Sequence, residues 1–306
     1  MSIHKRKNKS GIAYVVRLRT PAGRQYERTF ATKREAQLFE GEQRSAHERG
    51  TWVDPRPARE TTVAEWAAQW QRLNRHKAPT TKETDRAVLE RHLLPRMGAV
   101  AIGAVTPIDI QSLVADWKDS YAPATVRRYY GVVRAMFNAA LAGDVIGRSP
   151  CRGVKLPDVP ETEHVILTPE QLDRLASELP EHYRPMAFIG ALLGLRFEEV
   201  AGLRGSSVDA DRGFVSVRET VTSAGGRVHI GPPKTRAARR TLSIPRALSE
   251  LLAEHIGSIV PAEDGDPLLF SDAQGGPLRY SNFLRRVWNP ARVRAGIPDV
   301  GFHDLR

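Results

Sequence analysis

Five threonines along this chain are each followed, three residues later, by a side chain able to fold back onto the backbone. The pairs are Thr32 with Glu35, Thr62 with Glu65, Thr80 with Glu83, Thr106 with Asp109, and Thr168 with Gln171. A threonine hydroxyl at a helix N-cap accepts a hydrogen bond from the third helical N–H, and an acid or amide at that third position can return one to the cap. Pro107 and Pro169 directly follow their threonines, at the first helical position, where a missing N–H costs little. These signals set the points at which helices begin, and the rest of the chain has to fit between them.

Three regions result. Residues 12–20 and 24–30 read as strands joined by a turn at 21–23, and a helix runs from Thr32 to about Arg49. Residues 52–60 read as a linker, because Pro55 and Pro57 discourage helix. Between 62 and 143 the pattern predicts four helices. Trp66 and Trp70 lie i,i+4 with Val63 and Leu73 on one stripe, and Val88, Leu89 and Leu93 mark a second helix. Residues 107 onward form a third, and 125–141 a fourth with Val126, Tyr129, Val133, Met136, Phe137 and Ala140 inward. Residues 144–164 carry three prolines without a clear period and read as an extended, exposed connector. From 165 to 306 the reading is mixed: helices at 169–178, 185–194, 247–257 and 281–288, strands at 213–218, 227–230 and 239–244. The expected fold is multidomain: a small α+β N-terminal module (1–55), an all-α four-helix domain (62–143), and a mixed, mainly-α domain (165–306) with a small antiparallel sheet.

Charge narrows the partners. The chain of 306 residues has a formal net charge of +11, and residues 1–34 hold ten Lys or Arg against one acid. Such an excess points to a polyanion, nucleic acid first and an acidic membrane surface second. No apolar run has the length of a membrane span, and none follows the basic first residues as a signal peptide requires. The single cysteine, Cys151, excludes an internal disulfide framework and a multi-cysteine zinc site, and fits a reducing cytoplasm.

Three basic clusters stand out in the third region. In GLRFEEVAGLRGSSVD, Arg196 and Glu199 are i,i+3. That spacing makes a plain surface ion pair the default, yet the apolar residues around Arg196 favour an internal acidic or anionic partner. In PPKTRAARRTLSIP, Lys234 leads a basic run that reads either as a solvated hairpin or as a phosphate-backbone contact. In GFHDLR, His303 and Arg306 share one helical face. Two arginines, a lysine and a histidine could converge on one phosphodiester. Guanidinium forks bind paired phosphate oxygens and can neutralise a pentacoordinate transition state, and lysine or histidine can protonate a leaving sugar oxygen. No grouping of acids suits magnesium, so metal-free phosphoryl transfer without a cofactor is the expected chemistry.

In order and spacing, these stretches resemble the tyrosine recombinase, or phage integrase, family over nearly the whole chain. GLRFEEVAGLRGSSVD is similar to its first arginine box, PPKTRAARRTLSIP to its lysine hairpin, FHDLR to its His-x-x-Arg box, and SPCRGV to the linker before its catalytic domain. The resemblance implies an arm-type DNA-binding module at 1–55, a core-binding domain at 62–143, a linker at 144–164 and a catalytic domain at 165–306. It implies that Arg196 and Arg306 clamp the scissile phosphate, that Glu199 braces Arg196, that Lys234 protonates the leaving 5′ oxygen, and that His303 assists proton transfer. It further implies double-stranded DNA with core-type and arm-type attachment sites as partner, a homotetramer on that DNA, directionality or DNA-bending proteins as further partners, and a cytoplasmic, nucleoid- or host-DNA-associated location away from membranes.

The family's nucleophile is a tyrosine beyond its third box. All seven tyrosines here precede His303, and Tyr280, the last, reads as a core residue rather than a nucleophile. Two readings stay open: an integrase shortened at its C-terminus, with apolar surface exposed and tetramer formation weakened, or a non-catalytic DNA-binding protein acting as a competitor at attachment sites. The N-terminal module likewise has two readings, a sheet set into a major groove or charge held against phosphates.

Overall fold

The computed structural model describes residues 2–8, 11–19, 23, 25–50, 52–161, 165–259 and 265–306. The chain divides into two compact units, Met1–Lys77 with Thr84–Val159, and Ala78–Glu83 with Pro160–Arg306.

The first unit opens with an antiparallel sheet, β1 (Ser2–Asn8), β2 (Gly11–Arg19) and β3 (Gln25–Phe30), in that spatial order. Strand β1 is absent from the sequence reading. Its charged SIHKRKN has little apolar alternation, and it is held by register to β2, Ile3 opposite Val16. The expected turn at Pro21 and Ala22, and the strand ends at Thr20 and Arg24, lie outside the described residues. Helix α1 (Lys33–Glu48) starts at a complete capping box between Thr32 and Glu35 and covers one sheet face. The small core is Val16, Leu18, Tyr26, Ala36 and Trp52.

Residues Pro55–Glu60 form a short helix, α2, where a linker is expected. Both prolines fall in its first turn, where helical N–H groups have no partner in any case. The Asp54 carboxylate supplies the cap, accepting from Arg56 N at 3.0 Å and from the Arg56 guanidinium at 2.6 Å.

Helix α3 (Val63–Leu73) and helix α6 (Pro107–Ser120) begin at complete capping boxes on Thr62 and Thr106. Between them run α4 (Pro79–Val88), a π-helical turn over Leu89–Leu93, and α5 (Leu94–Met97). Thr80 is no cap, because α4 already starts at Pro79. Helix α7 (Pro123–Ala142) completes this part and buries Val126, Tyr130, Val133, Met136, Phe137 and Ala140. Tyr130 takes the inward place assigned to Tyr129. At four residues past Val126 it lies on the centre of the stripe, while Tyr129 lies at its edge and stacks on His92 with ring centroids 4.4 Å apart. The Trp66 indole donates to Met136 O at 3.0 Å, so this buried ring carries no orphan N–H.

The connector is not exposed throughout. Ile146 and Cys151 are buried in the helical core, and the Tyr130 hydroxyl donates to Cys151 O at 2.7 Å. Its residues 162–164 lie outside the described set. Burial pushes the Cys151 thiol up to about 11, against smaller opposing effects of Ser149 and Arg134. Since the thiolate is the reactive form, alkylation at pH 8 should run ~100-fold or more slower than for a free cysteine of ordinary pKa. Timed iodoacetamide labelling read by mass spectrometry, native against urea-unfolded, checks this; equal rates would contradict the buried placement.

In the second unit, the stretch from Pro160 onward carries α8 (Pro169–Glu178), capped by the Thr168–Gln171 box, and α9 (Arg184–Leu193), then one turn, α10 (Phe197–Val200). Strands β4 (Val208–Asp209) and β5 (Phe214–Val217) follow, then the hairpin β6 (Thr220–Ala224) and β7 (Arg227–Gly231), then β8 (Arg240–Ser243). β5 lies between β4 and β8, with Val215 opposite Leu242. The sequence reading lacks β6, yet Gly225 and Gly226 carry its signal: both have positive φ, 57° and 74°, as a tight hairpin turn requires. Helix α11 (Arg246–Ser258) follows. Then come α12 (Tyr280–Phe283), a π-helical turn over Leu284–Trp288, and α13 (Asn289–Arg294). One core gathers these elements, with Phe197, Phe270, Trp288 and Phe302 among its fully buried side chains. The architecture is therefore the expected multidomain one: a β+α module, a helical part, and a mixed part with small antiparallel sheets. No helix among the described residues is long and apolar enough to cross a membrane.

Candidate nucleic-acid site

Helix α9 ends at Gly194, whose φ of 61° is left-handed and reverses the chain. Leu195 then drops into the core, and Arg196 becomes the N-cap of α10. Phe197, Val200 and Leu203 are buried around it. The i,i+3 acid, Glu199, folds back and accepts the Arg196 N–H at 2.9 Å. The apolar neighbourhood does not bury the arginine itself: its side chain is 52% exposed, while that of Glu199 is 3% exposed.

Glu199 is engaged chiefly by a residue the sequence reading did not single out. Arg240, first residue of β8, donates Nη1 to Oε1 at 3.0 Å and Nη2 to Oε2 at 3.1 Å. The Arg196 guanidinium approaches the same carboxylate at 3.5 Å. Burial pushes the Glu199 carboxyl up, but the Arg240 hydrogen bonds, the Arg196 N–H and the charge of both arginines together hold it below the ordinary carboxylate value. The clue to Arg240 was the strand alternation after the basic run, which places it on the partly buried side of β8; only its partner, 41 positions away, was hidden.

His303 and Arg306 lie on a 3₁₀ turn, Phe302–Leu305, with Arg306 closing it. In such a turn, residues three apart stand on one side, and both are exposed while Phe302 and Leu305, the residue before each, are buried. Gly301 N donates to Asp304 Oδ2 at 2.8 Å, and the Trp288 indole donates to Val300 O at 3.0 Å. Gly190 of α9 admits Leu305: a β-carbon there would lie 2.8 Å from Leu305 Cδ1.

These elements build an open cleft of about 920 Å³ lined by Arg196, Arg240, His303 and Arg306 together with Asp304. Lys234 follows the buried Pro233 and faces an adjoining cleft with Arg196, Glu199 and Tyr280. The two clefts share Arg196, Thr235 and Ala238. Thus Arg196, His303 and Arg306 meet in one cleft, and Lys234 borders it. Tyr280 is partly buried, 4.9 Å from the Phe197 ring and 6.0 Å from that of His303. Burial first, then Glu198 and Asp304, push its phenol above the ordinary value. Among the described residues no group of three His, Cys, Asp or Glu is placed to hold a metal ion. The arrangement can grip a multiply charged oxyanion and offer it protons.

The architecture is multidomain, with a cleft on its mixed unit lined by Arg196, Arg240, His303 and Arg306. The sequence matches the phage integrase central domain over residues 60–156. It is 28% identical over 288 residues to the integrase of Mycobacterium phage L5, covering 91% of this chain and 76% of that one. Among solved structures it is similar to the Tn1549 transposon integrase in complex with transposon right end DNA, with a TM-score of 0.68 at 20% identity over 80% of this chain and 84% of that one. It is also similar to a lambda integrase tetramer bound to a Holliday junction, with a TM-score of 0.59 at 17% identity over 98% and 88% of the two chains. In sequence and in fold the chain is thus similar to proteins of the tyrosine recombinase, or phage integrase, family.

Proposed function

We propose that this chain serves site-specific recombination of double-stranded DNA, with the scissile phosphate seated in the cleft between Arg196 and Arg306. The observation that carries this reading is the convergence of Arg196, His303 and Arg306 on one cleft bordered by Lys234, with Glu199 as the buried acid beneath. In the reaction a tyrosine oxygen attacks the phosphorus, the P–O5′ bond breaks, and a 3′-phosphotyrosine and a free 5′ hydroxyl result. The attacking tyrosine loses its proton with help from His303, and Lys234 Nζ gives one to the departing 5′ oxygen. Arg196 and Arg306 carry the charge that accumulates on the phosphate oxygens. The reverse attack by another strand's 5′ hydroxyl rejoins DNA without ATP, because the covalent bond retains the phosphodiester energy.

Residues 1–55 act as the arm-type module, 62–143 as the core-binding domain, 144–164 as linker and 165–306 as the catalytic region. Directionality or DNA-bending proteins complete the assembly. The lambda relative was solved as a tetramer on a Holliday junction, and assembly of this chain on DNA follows the same plan. The seven tyrosines end at Tyr280, whose raised pKa and ring contacts suit packing rather than attack. On this reading the attacking tyrosine is not one of these seven residues.

Affinity for a ~30-base-pair duplex, titrated across salt, tests the site. Log K should fall linearly with log salt, and the Arg196→Ala/Arg306→Ala pair should lower that slope by about 1.8, two phosphate contacts. An unchanged slope removes the clamp assignment, and salt-independent binding removes the DNA reading altogether.

A further inference from the structure

The cleft sets one buried carboxylate against two guanidiniums. Glu199 gives both oxygens to Arg240 in a fork at 3.0 and 3.1 Å, and meets the Arg196 side chain only at 3.5 Å. Arg240 is held further by Ala238 O at 3.1 Å and is 27% exposed, against 52% for Arg196. Two like-charged groups thus share one anion unequally. The more buried arginine takes the carboxylate, and the more exposed one keeps its charge toward the cleft. Without Arg240, the nearest cation for Glu199 would be Arg196, three residues away, and the pair would present little net charge to a phosphate.

We infer that Arg240 is a positioning residue: it is the counter-ion of Glu199, and so leaves Arg196 available for phosphate. This rests on the reading that the cleft receives a DNA phosphate. The fork explains why the residue is arginine. A planar guanidinium meets both carboxylate oxygens at once, which the point charge of lysine does not. Glu199 remains tied to the Arg196 N–H at 2.9 Å, so the carboxylate orients the backbone of Arg196 while Arg240 absorbs its charge.

A set of four variants separates this role from direct phosphate contact and from scaffold support. Affinity for a ~30-base-pair duplex is measured by fluorescence anisotropy between ~50 and ~300 mM salt, with far-UV circular dichroism and melting as checks on folding. Arg240→Met should lose about tenfold in affinity and about 0.9 in salt slope, because Glu199 then cancels Arg196. Adding Glu199→Gln should restore both to within about twofold of the native chain, even if the melting temperature stays low. In an Arg196→Ala background, Arg240→Met should change affinity no further. A direct contact would give an equal loss in all backgrounds, and a scaffold role would be worsened by the second substitution; either result overturns the inference, as does native-like binding by Arg240→Met alone. If Arg240→Met does not fold, the Glu199→Gln/Arg240→Met pair, which removes the buried charges together, decides by itself: native-like affinity supports the role and a tenfold loss rejects it. Absence of salt-dependent binding by the native chain would instead defeat the phosphate reading, and this inference with it.

Discussion

Replacing Trp288 by alanine is expected to destabilise the second unit by about 4 kcal/mol. The side chain is fully buried, 5.1 Å from the Phe302 ring and 6.2 Å from that of Phe283. Its indole N–H holds Val300 O at 3.0 Å, at the entry to the turn that carries His303 and Arg306. Alanine removes the packing, leaves a cavity, and takes away one donor from that carbonyl. The other, Arg292 Nη1, remains at 3.3 Å, so Trp288→Phe should cost less than half as much. Calorimetric melting of the unit containing Trp288 measures the loss. The remaining tryptophans, Trp52, Trp66, Trp70 and Trp117, all belong to the first unit, so their fluorescence transition serves as an internal control. A loss under ~1.5 kcal/mol would contradict the packing of this segment, since aromatic truncation in a filled core costs more.

Glu199→Gln is expected to cost about 2 kcal/mol at neutral pH. Removing one member of a buried ion pair strands the other, and the full cost is softened here because Arg240 is about a quarter exposed. The loss has a pH signature. Burial raises the carboxyl's pKa, but the Arg240 hydrogen bonds and neighbouring arginines outweigh it, so the folded value lies below the unfolded one. The unfolded chain then binds the proton more readily, and the contribution of ionised Glu199 is complete above the unfolded value of about 4.3. It falls away as pH drops through the folded value. A protonated glutamic acid resembles glutamine, so the stability gap between native and variant chains should be constant from about pH 7 to 5.5 and close in acid. Urea titrations across that range check it. A gap that persists undiminished at about pH 3 would show that the carboxylate charge is not what Arg240 recognises.

Much of the helical plan was legible because its signals are local. The boxes at Thr32, Thr62, Thr106 and Thr168 each close within four residues, and each starts a helix where expected. Thr80 failed for an equally local reason: Pro79 already occupies the first helical position. The error at 55–60 came from counting prolines without their place in the turn, and β1 was missed because a charged edge strand shows no alternation. Cys151 and Ile146 were read as exposed because the connector's period is irregular, whereas their burial comes from a core built by helices elsewhere.

By itself the sequence determined the residue types of the cationic cluster, their order, and the family they resemble, since these are properties of short stretches and their spacing. Only the tertiary structure decided who pairs with whom. Arg196 and Glu199 are neighbours on any helical turn, but Glu199 gives its two oxygens to Arg240, brought 41 positions back by pairing of β8 with β5. Charge in a low-dielectric site goes to the group that offers the best fork and the deepest burial. Neither property is written in the spacing of the letters.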